Sequence, residues 1–152
     1  MNETVLTDDQ IATLAAAAEA IIPGDDFDEG VAPLGPGHVI ATRVRYQPQV
    51  ADLYVKGLRG IADSVGIMFG PGRRFADLSL VERARVLEAM RRGVAPGAGW
   101  REVSSQGFYL ALRADVCFVY TTDPEVCRRI GFPGESTARG GYPDYAQPQS
   151  PG

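Results

Sequence analysis

Histidine occurs once in this chain, at His38, and lysine once, at Lys56. With two cysteines, Cys117 and Cys127, the nitrogen and sulfur donors are too few for the usual zinc sets. No histidine–nucleophile pair can be read from the sequence either. Positive charge is not in excess: 15 Lys+Arg stand against 19 Asp+Glu, a net charge of −4. A nucleic-acid role therefore has no electrostatic footprint. No apolar run approaches the roughly 18 residues that cross a bilayer. Met1-Asn2-Glu3-Thr4 opens the chain without a basic segment, paired arginines or a long apolar stretch. As written the sequence reads as cytoplasmic, or as periplasmic if an export leader has been removed or a partner carries one. The phosphate-loop pattern GxxxxGKS/T is missing, and Gly70-Pro71-Gly72 is only a helix stop. No segment sustains the period-two alternation of a strand. These absences leave an all-α fold.

What is present agrees. Hydrophobic residues make up 45% of the chain and charged residues 22%, a globular and not a disordered composition. Leu6-Thr7-Asp8-Asp9-Gln10-Ile11 is a helix start, with Thr7 as N-cap, Gln10 three residues on, and Leu6 and Ile11 placed for a staple. Ile11, Leu14, Ala15, Ala18, Ile21 and Ile22 follow at helical spacing until Pro23-Gly24. A short helix spans about Pro36 to Tyr46. Pro48 opens the strongest one, in which Val50, Leu53, Tyr54, Gly57, Leu58, Ile61, Ala62, Val65 and Phe69 share a face. Gly57 on that apolar face predicts close approach of another helix. Ser79 and Glu82 form a second capping box, with Val86, Leu87 and Met90 as the stripe and Gly93 as the residue past the end. A fifth helix is predicted over Trp100 to Tyr120, with Tyr109, Leu112, Val116, Val119 and Tyr120 on its core face. Asp123-Pro124 then starts a short sixth. The expectation is an irregular bundle of about five to six helices over 1–134, followed by an extended Gly/Pro/Tyr-rich tail over 135–152.

Two clusters invite a chemical reading. Asp25, Asp26, Asp28 and Glu29 crowd one loop, but their spacing fails the EF-hand pattern, so a solvated acidic loop is expected. His38 lies near them in sequence and reads as a surface residue; the alternative is a small stand-alone enzyme pairing His38 with Asp25, Asp26 or Asp28. Cys117 and Cys127 are ten residues apart across the Asp123-Pro124 break. A fold-back there would bring them close, but two buried free thiols are the simpler reading. In the tail, Gly140, Gly141, Pro143, Pro148 and Pro151 oppose regular structure, while Phe132, Tyr142 and Tyr145 supply the aromatic anchors that a merely solvating tail lacks. Phe132, Pro133, Tyr142, Pro143, Asp144 and Tyr145 are thus candidate partner-binding residues, the alternative being that Phe132 and Tyr142 cover the domain's own core.

Five weak motifs in order now carry a resemblance: Leu6-Thr7 with Ile21-Ile22-Pro23-Gly24-Asp25-Asp26; Phe75-Ala76-Asp77-Leu78-Ser79; Tyr120-Thr121-Thr122-Asp123-Pro124-Glu125-Val126; Ile130-Gly131-Phe132-Pro133-Gly134; and Arg139-Gly140-Gly141-Tyr142-Pro143-Asp144. Together they resemble the gluconate 2-dehydrogenase subunit 3 family across nearly the whole chain. The resemblance implies a small accessory subunit with no active site, cofactor or metal of its own. It further implies a large partner of the glucose-methanol-choline oxidoreductase type that holds FAD and acts on a sugar, alcohol or glycoside. A cytochrome c subunit often completes such complexes. Exported members carry a twin-arginine leader, which this sequence does not show.

Overall fold

A computed structural model describes residues 4–129 and Gly131. Among these residues there are six α-helices and no strand: α1 Asp8–Ile21, α2 Pro36–Tyr46, α3 Pro48–Phe69, α4 Leu80–Arg91, α5 Ser105–Thr122 and α6 Pro124–Arg129. Single 3-10 turns at Ala32–Leu34, Phe75–Asp77 and Ala98–Arg101 punctuate the connections. The expected helical bundle is therefore the observed one.

Local chemistry sets the boundaries. The Gln10 amide donates to Thr7 Oγ1 at 3.1 Å, and the Thr7 amide returns a bond to Gln10 Oε1 at 2.8 Å. Ser79 and Glu82 repeat the arrangement at α4, at 3.1 and 2.9 Å. Each cap satisfies two amides that a helix start leaves without partners. Past α4, the Gly93 amide bonds Met90 O and the Val94 amide bonds Ala89 O, with Gly93 at φ 74°. That is a Schellman stop, and it needs glycine because the left-handed conformation strains any residue carrying a Cβ. Thr7→Ala and Ser79→Ala are each expected to cost about 1 kcal/mol, or roughly 2–4 °C in melting midpoint. Unchanged midpoints for both variants would show that these caps contribute nothing.

The core lies where α3 and α5 meet under α1, α2 and α4. Tyr54, Ile61 and Val65 of α3 are buried with Phe108, Leu112 and Val116 of α5, Leu14 of α1, Ile40 and Val44 of α2, and Val86 and Met90 of α4. The predicted approach at Gly57 is real: a Cβ there would lie 2.4 Å from the Phe108 ring. Gly60 plays the same part for Trp100, whose ring would lie 2.6 Å from an added Cβ.

Two expectations need correction. The fifth helix begins at Ser105, not at Trp100, because the Ser104 hydroxyl accepts the Gly107 amide at 3.0 Å. Trp100 sits in the preceding 3-10 turn, and its indole donates to Ser64 Oγ at 2.8 Å. Ser64 in turn donates to Pro96 O at 2.6 Å, and Asp63 accepts the Gly99 amide at 2.7 Å. The loop before α5 is thus held down on α3 by polar bonds that no periodicity encodes. The apolar faces are also rotated from expectation in places. Ala16 and Ala17 of α1 and Ala51 and Ser64 of α3 are buried, whereas Ala62 of α3 is exposed and Tyr109 and Tyr120 are only half-buried.

Candidate partner-binding surface

The acidic loop is not simply solvated. Asp25 Oδ1 accepts the amides of Phe27 at 2.8 Å and Asp28 at 2.9 Å, which folds the loop over its own first acid. Asp28 accepts the Tyr120 hydroxyl at 2.6 Å, the Gly30 amide at 3.0 Å and the Arg129 guanidinium. One carboxylate therefore ties the loop to α5 and to α6, across 92 and 101 residues of sequence. The Tyr120 hydrogen bond is the main cause that holds the Asp28 carboxyl below its ordinary value, helped by Gly30 and Arg129 against partial desolvation. The same bond pushes the Tyr120 hydroxyl up. Asp28's contribution to stability is present above the ordinary aspartate value of 3.8 and is lost as pH falls through its lower folded value. Tyr120's contribution is present below its ordinary value of 10.0 and is lost as pH rises through the raised one. Asp28→Asn should accordingly lower the melting midpoint at neutral pH, and the gap to wild type should close as pH falls below 3.8 and through the lower folded value. A gap that stays constant across that range would mean the Asp28 charge is not what holds the loop.

His38 lies exposed on α2, and none of the hydrogen bonds or ion pairs of the described residues joins it to Asp25, Asp26 or Asp28. Asp25 and Asp28 spend their oxygens on the loop, α5 and α6. No group of three or more metal-ligating side chains occurs among the described residues. Nor is any described helix long and apolar enough to cross a membrane. The cleft between α1 and α3 holds Arg59, Arg73 and Arg74. Each of them is matched by an acid: Glu102 at 3.5 Å, Glu82 at 3.5 Å and Asp9 at 2.9 Å. Another polar centre, Asp115, accepts the Tyr54 hydroxyl and the Arg43 guanidinium and so joins α5 to α3 and α2. Burial, and then the hydrogen bond to Asp115 and its charge, push the Tyr54 hydroxyl far up. These centres hold helices together. Cys117 and Cys127 are both free, the first half-buried and the second buried with its thiol donating to Thr121 O.

Part of the exposed surface is apolar. α4 carries a second apolar strip on its outer side, where Val81 is 72% exposed. Met68, Ala84, Ala89 and Val94 line a groove with Val81, and Arg85 and Arg92 edge it. On α5, Leu110 and Phe118 are eight residues apart on an outward face, Phe118 at 66% exposure. The tip of the acidic loop, Phe27, is 94% exposed. Sequence reasoning passed over all of these, since a single stripe was taken to account for each helix. The clue was Leu80-Val81 with Ala84, off the Val86-Leu87-Met90 stripe of the same helix. The expected binding residues Phe132, Pro133, Tyr142, Pro143, Asp144 and Tyr145 lie outside the described residues.

A family model described as gluconate 2-dehydrogenase subunit 3 matches residues 8–134. The chain belongs to that family. The match covers α1 through α6 and so includes every element that bears the exposed apolar residues. The gluconate 2-dehydrogenase subunit 3 family is one of accessory subunits in a multi-subunit dehydrogenase, which gives such a surface a reason to exist. No curated protein and no solved structure matches the chain.

Proposed function

We propose that this chain is the non-catalytic small subunit that binds and stabilises a large FAD-dependent oxidoreductase subunit of the glucose-methanol-choline type, acting on a sugar, alcohol or glycoside. The family match over residues 8–134 carries the reading. It is supported by bare apolar side chains on the acidic loop, α4 and α5 beside polar centres that are used up in holding helices. FAD belongs to the partner, and a cytochrome c subunit would take its electrons. The small subunit would stabilise the flavoprotein by mass action, because a ligand that binds only the folded state raises its melting point. Phe132, Pro133, Tyr142, Pro143, Asp144 and Tyr145 would add anchors beyond the helical body, since tyrosine offers apolar area and a polar tip together.

Co-expression with the FAD-containing dehydrogenase subunit of the same organism tests this. Flavin absorbance should co-elute with the chain, and the flavoprotein should melt higher in its presence. A chain stopped after Gly134 should keep its helical circular dichroism and bind far more weakly. A full-length chain that elutes alone beside a flavoprotein of unchanged stability would sink the proposal.

A further inference from the structure

We infer that Phe27 is an anchor that fills an apolar pocket rimmed by Arg or Lys on the FAD-containing subunit; this deepens the proposed function and rests on it. The observation is a bare phenyl ring, 94% exposed, at the tip of a loop that is held still. Asp25 Oδ1 fixes the Phe27 amide itself at 2.8 Å, and the Asp25 amide returns a bond to Asp28 O at 2.7 Å. Asp28 then moors the loop to Tyr120 and Arg129. The backbone that presents the ring is therefore ordered before any partner arrives. Prior order removes much of the entropy that binding would otherwise cost. An aromatic on a pre-ordered backbone, buried on association, is the usual form of an interface hot spot.

Charge selects the partner. Asp25, Asp26 and Glu29 flank Phe27 in the loop, and all three are exposed. A second copy presenting the same tip would meet like charges across a two-fold axis. An anionic lipid surface would repel the tip for the same reason. A cation-rimmed pocket would accept the ring and steer the acids. One loop tip is far smaller than the ~800 Å² per partner of a stable interface, so Phe27 acts as one anchor among the other exposed apolar residues.

The test uses the full-length chain and the FAD-containing subunit of the same organism. Phe27→Ser removes a side chain that packs on nothing, so circular dichroism and melting should not change. Its dissociation constant should rise by about tenfold or more. Asp25→Ala, which frees the loop, should weaken binding less. It should weaken it no further in the Phe27→Ser background, an outcome that a merely structural role for Asp25 would not produce. Asp26→Asn should flatten the salt dependence of the association rate. If wild type binds and Phe27→Ser binds equally well, the inference fails while the proposed function stands. If wild type does not bind at all, the proposed function fails and this inference with it. Loss of flotation with phosphatidylserine vesicles on Phe27→Ser, with the complex intact, would give the ring to a membrane and overturn the inference.

Discussion

Replacing Phe108 by alanine should lower the free energy of unfolding by about 3–5 kcal/mol. The ring is fully buried at the centre of the α3–α5 contact. It meets Tyr54 edge-on with centroids 5.2 Å apart, and Trp100 at 6.2 Å. It also fills the space that Gly57 leaves open. No small shift can close the resulting cavity. Tyr54 is tethered through its hydroxyl to Asp115, and Trp100 through its indole to Ser64. A site that cannot collapse falls at the costly end of large-to-small substitutions. Domains of this size are stable by only about 5–15 kcal/mol, so the variant would keep a small margin. Urea titration should show a much lower midpoint at an unchanged slope. A loss below about 1 kcal/mol would mean that α5 does not seat on α3 through this ring.

Gly57→Ala should destabilise the protein by about 1–3 kcal/mol, although alanine is the better helix former. The added Cβ would stand 2.4–2.5 Å from Cδ1, Cε1 and Cγ of Phe108. Cγ is next to the α5 backbone, so the ring cannot simply swing away. Overpacking then outweighs the roughly 1 kcal/mol that alanine gains over glycine in a helix. Gly66, on the same helix, is the control: a Cβ there meets nothing within 4 Å. Gly66→Ala should therefore stabilise by up to about 1 kcal/mol. Phe108→Leu should recover part of the Gly57→Ala loss, and the double-mutant cycle should be strongly non-additive. Thermal melts that rank Gly57→Ala above wild type would reverse the assignment of this contact.

The bonds at Asp28, Asp115 and Ser64 each join segments distant in sequence. Beside them Phe27, Val81, Leu110 and Phe118 are apolar and exposed. That division suits a chain that recognises another protein by shape and anchor residues.

The sequence by itself determined the helices and most of their ends. Thr7 with Gln10, Ser79 with Glu82, Gly93 and Asp123 act within four residues of themselves, so their effects can be read locally. It also pointed to the close approach at Gly57, where an added Cβ would meet Phe108 at 2.4 Å. Short motifs in order were enough for the family, since their order along the chain is a sequence property; the family match over 8–134 spans all of them but Leu6-Thr7 and 139–144. Tertiary structure alone decided the rest. Trp100 left the predicted helix because Gly60 and Ser64, some forty residues earlier, offered it a flat seat and an acceptor. Asp28 ceased to be a loop acid because Tyr120 and Arg129 arrived from the far end of the chain. Val81 and Phe118 lie on the outward sides of helices whose other faces form the core, and Phe27 at a loop tip. Periodicity reports that a residue is apolar, but only packing tells which apolar residues are left outside.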